Sequence, residues 1–236
     1  MKKLIIMAFA LCLGTMAITS CQKDGGGFIN SDGTTTGGTT TNGTSNGHEY
    51  VDLGLSVKWA TCNVGASSPS DYGGYYAWGE TATKTSYTWG TYKHCKGTRS
   101  TLTKYCTTST FGTVDNKTVL ESSDDVAHVK WGGSWRMPTN DEWKELCNSC
   151  TWTWTTKNGV DGYEVSKNGN SIFLPAAGYR SGSSVHLTGY GSYWSSSLNT
   201  SIPISARYCG FSSSSSNPSA LGDRYDGYPV RPVIAK

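Results

Sequence analysis

Residues 132–150 read "GGSWRMPTNDEWKELCNSC", the one stretch that carries a complete set of helix signals. Thr139 and Glu142 form a T-x-x-E capping box with Pro138 just before it, so N–H groups left unpaired at a helix start gain side-chain partners. Trp143, Leu146, Cys147 and Cys150 then recur at i, i+3, i+4 and i+7, which makes one apolar face. A second, shorter helix is predicted over "DDVAHVKWG" (124–132), with Val126, Val129 and the Lys130 stem inward.

Away from this helix the signals are those of strands and turns. Upstream, "EYVDLGLSVKWATCNVG" (49–65) predicts two short strands around Gly54, and "TSYTWGTYKHC" (85–95) alternates again. Residues 71–80 are aromatic and glycine-rich, and 96–124 are polar and irregular. Downstream, "TWTWTT" and "GYEVS" are followed by "NG" turn signals at Asn158-Gly159 and Asn168-Gly169. "SIFLPAAGYR" (171–180) predicts a buried strand ended by Pro175, and "GSYWSSS", "ARYCGFS" and "YPVRPVI" a terminal set. Few helices and many short strands with long connections define an α+β domain.

The N-terminus is of another kind. "MKKLIIMAFALCLGTMAITSC" pairs two lysines with a short apolar run and small residues before a cysteine, the layout of an export signal. Its ending resembles a lipobox, which implies a leader over 1–20 and acylation of Cys21; acyl chains then anchor the protein without a spanning helix. Residues 21–47 are mostly Gly, Thr, Ser, Asn and Asp and predict a flexible linker. Residues 48–236 remain for one domain with a core. The formal charge is +3; loss of Lys2 and Lys3 leaves about +1, which speaks against nucleic acid as a partner.

The chemistry-bearing residues do not converge. Cys147-x-x-Cys150 lies on the apolar helix face and lacks two further zinc ligands. Cys62, Cys95, Cys106, Cys147, Cys150 and Cys209 allow many pairings, Cys95 with Cys106 among them. His48, His94, His128 and His186 stand in no nucleophile motif. Asp141-Glu142 belongs to a helix start. No catalytic set, cofactor or metal is expected. The nine tryptophans and fourteen tyrosines suit sheet packing, and some suit sugar stacking.

"EYVDLGLSVKWATCNVGA", "YYAWGET", "GGSWRMPTNDEWKEL", "CTWTWTTKNGVDGYEV", "NSIFLPAAGYR", "YWSSS" and "GYPVRPV" occur in this order. Together they resemble the major paralogous domain of surface lipoproteins in Bacteroides-like bacteria, a family similar to C-type-lectin folds and to variable proteins of diversity-generating retroelements. The resemblance implies a C-type-lectin-like binding domain over 48–236, lipid-anchored at the outer membrane. Its partner would be a protein or glycan on another cell, phage or host surface. In such retroelement systems adenine-directed copying turns Asn codons into codons that exclude Lys, Glu, Gln, Met and Trp. Residues 198–228 contain none of these five, which makes them the candidate variable region.

The binding positions implied are Ile202, Ile204, Ser205, Arg207, Cys209, Ser213, Ser215, Ala220, Leu221, Gly222, Asp223, Tyr225, Asp226 and Tyr228, with Arg207 and Tyr225 as anchors. Tyr193, Trp194, Phe211, Val230 and Val233 are expected in the core, and Arg231 in a structural hydrogen bond. Two alternatives stand beside this reading. One is an undiversified adhesin or surface-assembly module. The other is a formylglycine-generating enzyme, whose C-terminal cysteine pair is missing because Cys209 is the only cysteine after Cys150.

Overall fold

The computed structural model describes residues 42–236; the leader, Cys21 and the linker up to residue 41 lie outside the described residues. Strands β1 (Gly43–Ser45), β2 (His48–Val51) and β3 (Val57–Ala60) are joined in one antiparallel sheet by the last strand of the chain. The Asn46-Gly47 turn between β1 and β2 has positive φ at both residues (47° and 81°), the geometry of a two-residue hairpin. Among the described residues the first strand already starts at Gly43, ahead of the expected domain start at His48.

The capped helix, which follows α1 (Val126–Trp131), is α2 (Asn140–Ser149). Both halves of its capping box are present: Glu142 N donates to Thr139 Oγ1 at 3.2 Å, and Thr139 N donates to Glu142 Oε2 at 2.8 Å. Trp143 and Leu146 are fully buried, Cys147 is half-buried, and Cys150 is the extended residue that ends the helix. In α1 the expectation was only half right. Val126 is buried with Ala127 and Trp131, and Lys130, though exposed, carries its ammonium over the ring of buried Tyr76 at 5.8 Å, but Val129 is 49% exposed. At 3.6 residues per turn, Val129 falls on the side opposite those three.

A meander follows: β4 (Thr151–Lys157), β5 (Val160–Lys167) and β6 (Asn170–Pro175). It turns at Asn158-Gly159 and Asn168-Gly169, all four residues at positive φ. A small hairpin, β7 (Tyr179–Ser181) and β8 (Ser184–His186), precedes β9 (Gly191–Leu198), β10 (Ser205–Ser212) and β11 (Ser215–Asp223), which form a sheet in the order β11-β10-β9. The chain closes with β12 (Val233–Ala235) against β3, Val233 opposite Trp59. Of "YPVRPVI" only Val233 and Ile234 join this ladder, because Pro229 and Pro232 have no N–H to give. The expected alternation at 85–95 is not a strand either. Tyr87 makes a single bridge to Gly182, and Trp89–Thr91 is a 3₁₀ turn.

Tyr193, Trp194, Phe211, Val230 and Val233 are all buried, as the sequence frame implied. Trp143 sits between Trp59 (4.7 Å between centroids) and Tyr193 (5.8 Å), and its Nε1 donates to Trp194 O. Arg231 is fully buried and donates to Asn63 Oδ1 and to the carbonyls of Ala60, Thr61 and Phe173. Among the described residues no carboxylate pairs with it; carbonyl dipoles balance it, and burial pushes its pKa down to about 10. Cys95 and Cys106 are both free thiols and do not close a loop. Each bonds a nearby carbonyl instead, Cys95 that of Trp89 and Cys106 that of Thr108.

Candidate ligand-binding face

Strands β10 and β11 carry most of the expected binding positions. Their register pairs Ser205 with Asp223, Ala206 with Gly222, Arg207 with Leu221 and Tyr208 with Ala220. Paired residues share a face and successive ones alternate, so the expected set is divided between two faces. On one, Tyr228 crosses Gly222 so closely that a Cβ there would lie 2.5 Å from Tyr228 Oη. Tyr228 stacks on Trp194 (4.0 Å, 14°) and receives the edges of Tyr208 (4.9 Å) and Tyr179 (5.4 Å). On the other face lie Arg207 and Leu221. Arg207 is near enough to Asp141, in the first turn of α2, to favour its ionised form.

Burial sorts the set further. Ile202, Ser213, Ser215 and Leu221 are exposed; Ile204, Ser205, Arg207, Ala220, Asp223 and Tyr225 are half-buried. Cys209, Gly222, Asp226 and Tyr228 are buried, and for these the expectation of solvent-facing positions is corrected. Cys209 pairs with Tyr193 in the sheet interior and faces Cys147, with the sulfurs 3.9 Å apart. Ser213 and Ser215 sit at the tip of the β10–β11 hairpin, seven strand steps from Ser205, or roughly 24 Å. The expected positions therefore do not form one compact site. Arg207 and Tyr225, expected as joint anchors, belong to different surroundings.

What does come together lies past the end of β11. Arg224, which sequence reasoning did not single out, is fully buried. Its Nε donates to Tyr92 Oη (2.9 Å), one terminal nitrogen to the carbonyls of Tyr105 (3.0 Å) and Pro203 (2.8 Å), and the other to that of Lys104 (3.0 Å). The guanidinium lies over Trp78, Tyr92 and Tyr105 at 5.0, 5.2 and 5.8 Å. Nearby, burial pulls the Asp124 carboxyl up, but hydrogen bonds from Lys104, Lys93 and Tyr105 outweigh it and hold the group well below the usual carboxylate range.

With Arg224 fixed, the next four residues are placed. Tyr225 meets the Trp89 ring edge-on at 5.1 Å. Gly227 and Arg180 exchange backbone hydrogen bonds at 2.8 Å, and Tyr228 and Tyr76 do so at 3.0 Å. Asp226 is 8% exposed, and its Oδ1, shielded from solvent, has no hydrogen-bond partner among the described residues. Burial pushes this carboxyl up to about 6; the neighbouring Asp223 adds to the rise, while the Ser181 hydroxyl and His186 oppose it. Burial also raises Asp223, against the Tyr225 hydroxyl and the charge of Arg99. The local cluster is thus Asp223, Tyr225 and Asp226 with Trp89, Tyr179, Ser181, His186 and Tyr208. Its β7–β8 members were signalled in sequence only by the glycine-serine turn "SGSS" between alternating residues.

A separate groove of about 590 Å³ opens between β1–β2 and β4–β6, with Glu49, Tyr50, Lys157 and Glu164 among its walls. None of the expected binding positions reaches it. Among the described residues no group of three or more His, Cys, Asp or Glu is placed to hold a metal ion, and no helix is long and apolar enough to cross a membrane. No family model, curated protein or solved structure matches this chain.

Proposed function

We propose that this chain is a non-catalytic binding protein with a C-type-lectin-like domain, held at the outer membrane by a lipid on Cys21. We also propose that a retroelement diversifies its region 198–228 to vary the ligand. The observation that supports this reading is the separation of roles within that region. Arg224, Gly222, Tyr228 and Cys209 are packed into the fold, whereas Ile202, Leu221, Ser213 and Ser215 project from it. Exposed substitutions usually change stability by within about 0.5 kcal/mol, so such a frame tolerates many faces.

The gene locus tests this directly. A near-copy of the 3′ end of the gene should lie nearby, beside a reverse-transcriptase gene. Its adenine differences should fall at the codons of Ile202, Leu221 and other projecting residues and spare those of Gly222, Arg224 and Tyr228. If no such repeat exists, or its differences fall mainly on the packed codons, the diversified reading is wrong and the fixed-face adhesin takes its place.

A further inference from the structure

We propose that strand β4 joins two copies of this chain edge to edge, through antiparallel pairing centred on Thr153. The meander then continues across a two-fold axis as one sheet in the order β6-β5-β4-β4-β5-β6. The contact is separate from the binding face above and uses no residue of 198–228.

Strand β4 lies at one edge of its sheet and pairs only with β5. Among the described residues its backbone makes no other hydrogen bond; the bonds of its side chains, Trp152 Nε1 to Leu146 O and Thr156 Oγ1 to Asp161 Oδ1, leave the outer edge open. Alternate residues of Thr151–Lys157 therefore turn an unpaired N–H and C=O outward. Protein edges are normally guarded by charges, proline, a bulge or a covering element. The edge strand β11 has such guards, with Pro218 inside it and α2 packed against it. Strand β4 has none of them: it is uncharged from Thr151 to Thr156, and its register with β5 runs unbroken from Thr151 to Lys157. An unguarded edge of this kind is a template for another strand.

The side chains select a second copy as that strand. "TWTWT" (151–155) reads the same in both directions. A two-fold axis between antiparallel strands keeps each sheet face on its own side, so residues that pair across it come from the same face. With Thr153 on the axis, Thr151 meets Thr155 of the second copy and Trp152 meets its Trp154. Like lies beside like on both faces, and Thr–Thr and aromatic pairs are stabilising cross-strand combinations. Trp152 and Trp154 are half-buried, edge-on to Tyr163 at 5.2 and 5.1 Å, and a second strand covers what the core leaves open. Charge agrees with this register. The two Lys157 residues fall eight strand steps apart, or roughly 27 Å, and do not repel. Each comes opposite position 149 of the other copy, the end of α2, whose carbonyls carry partial negative charge and whose last turn has no basic residue. One strand pair buries less than the roughly 1,200–2,000 Å² of a stable interface, so the dimer is weak and forms at high local concentration.

The test is disulfide trapping in the full-length protein, with Cys150, the native thiol beside this edge, replaced by serine throughout. Copper phenanthroline at high protein concentration oxidises facing thiols, and non-reducing gels read the dimer. Thr153→Cys should cross-link to itself, because residues paired across an antiparallel ladder have Cα atoms about 4.5–5.5 Å apart, within disulfide reach. Thr151→Cys and Thr155→Cys should cross-link when mixed but not alone, since each lies four steps, or roughly 13 Å, from its own counterpart. Thr153→Cys should react about tenfold or more faster than Ser171→Cys, an exposed site on the far strand β6. Adding Thr153→Lys or Thr153→Glu should abolish the mixed product by setting like charges opposite each other. Unchanged thermal midpoints show that the variants fold. Similar rates at Thr153 and Ser171, equal self-linking at Thr151, Thr153 and Thr155, or a mixed product that survives both charged variants overturns the proposal.

Discussion

Replacing Arg224 with methionine should destabilise the domain by about 3 kcal/mol. Methionine keeps most of the aliphatic volume but removes donors from Tyr92 Oη and from the carbonyls of Lys104, Tyr105 and Pro203. Tyr92 Oη still donates to Trp78 O, so the main loss is at three buried carbonyls, each worth about 1–3 kcal/mol when left unpaired. Loss of the cation over three rings adds about 1–2 kcal/mol. Against this, the variant no longer buries a guanidinium, which returns several kcal/mol. The net is a large part of a typical domain stability of about 5–15 kcal/mol. Urea unfolding followed by tryptophan fluorescence measures it, with a midpoint lowered by about 1–2 M at unchanged slope. Arg224→Lys should fall in between, because an ammonium keeps the charge but not the planar fork. A methionine variant within about 0.5 kcal/mol of the parent would refute the claim that this side chain anchors the loop.

Other consequences follow from packing and charge. Gly222→Ala places a methyl 2.5 Å from Tyr228 Oη, so it should cost about 1–3 kcal/mol, whereas Leu221→Ala next to it should cost well under 1; paired thermal melts compare them. The Asp226 carboxyl has its folded pKa raised to about 6 against about 3.9 in an unfolded chain. Its contribution to stability is therefore complete below about pH 4 and lost as pH rises through 6. Asp226→Asn should remove that slope and gain about 3 kcal/mol at pH 7, read from urea midpoints across pH. Asp124 runs the other way: its lowered pKa gives stability that is present above about pH 4 and lost on further acidification, so Asp124→Asn should flatten the acid limb. Diamide, which oxidises thiol pairs, should join Cys147 to Cys209, whose sulfurs are 3.9 Å apart, with a mass lower by two hydrogens; continued alkylation of both thiols after diamide contradicts that.

What could be read in the sequence was local. The α2 capping box spans Thr139 to Glu142, and each Asn-Gly turn is two residues long, so short-range chemistry alone defines them. The buried frame was legible because Tyr193, Trp194, Phe211 and Val233 are large and apolar in a polar background. Arg224 was not legible, because its partners Tyr92 and Tyr105 lie 132 and 119 positions earlier and nothing next to it marks burial. Strand β11 was hidden for a related reason. "SSNPSALGD" has little intrinsic preference for a strand, and its pairing comes from β10. Pro218 is tolerated because it falls where the register shifts, between Asn217 opposite Gly210 and Ala220 opposite Tyr208, in a strand at the sheet edge. The division of the binding positions between two faces needed that register and could not be inferred from composition.

Residues 198–228 should behave as a fixed frame that carries interchangeable side chains. Saturation mutagenesis of every residue from Leu198 to Tyr228, scored by a folding reporter such as protease resistance on display, tests it most directly. Ile202, Ser213, Ser215 and Leu221 should accept nearly all substitutions, while Ala206, Cys209, Phe211, Gly222, Arg224 and Tyr228 should accept few. Uniform tolerance along the whole stretch would mean a solvated linker, and uniform intolerance would leave no room for a variable face; either result rules out a fixed frame with a variable surface.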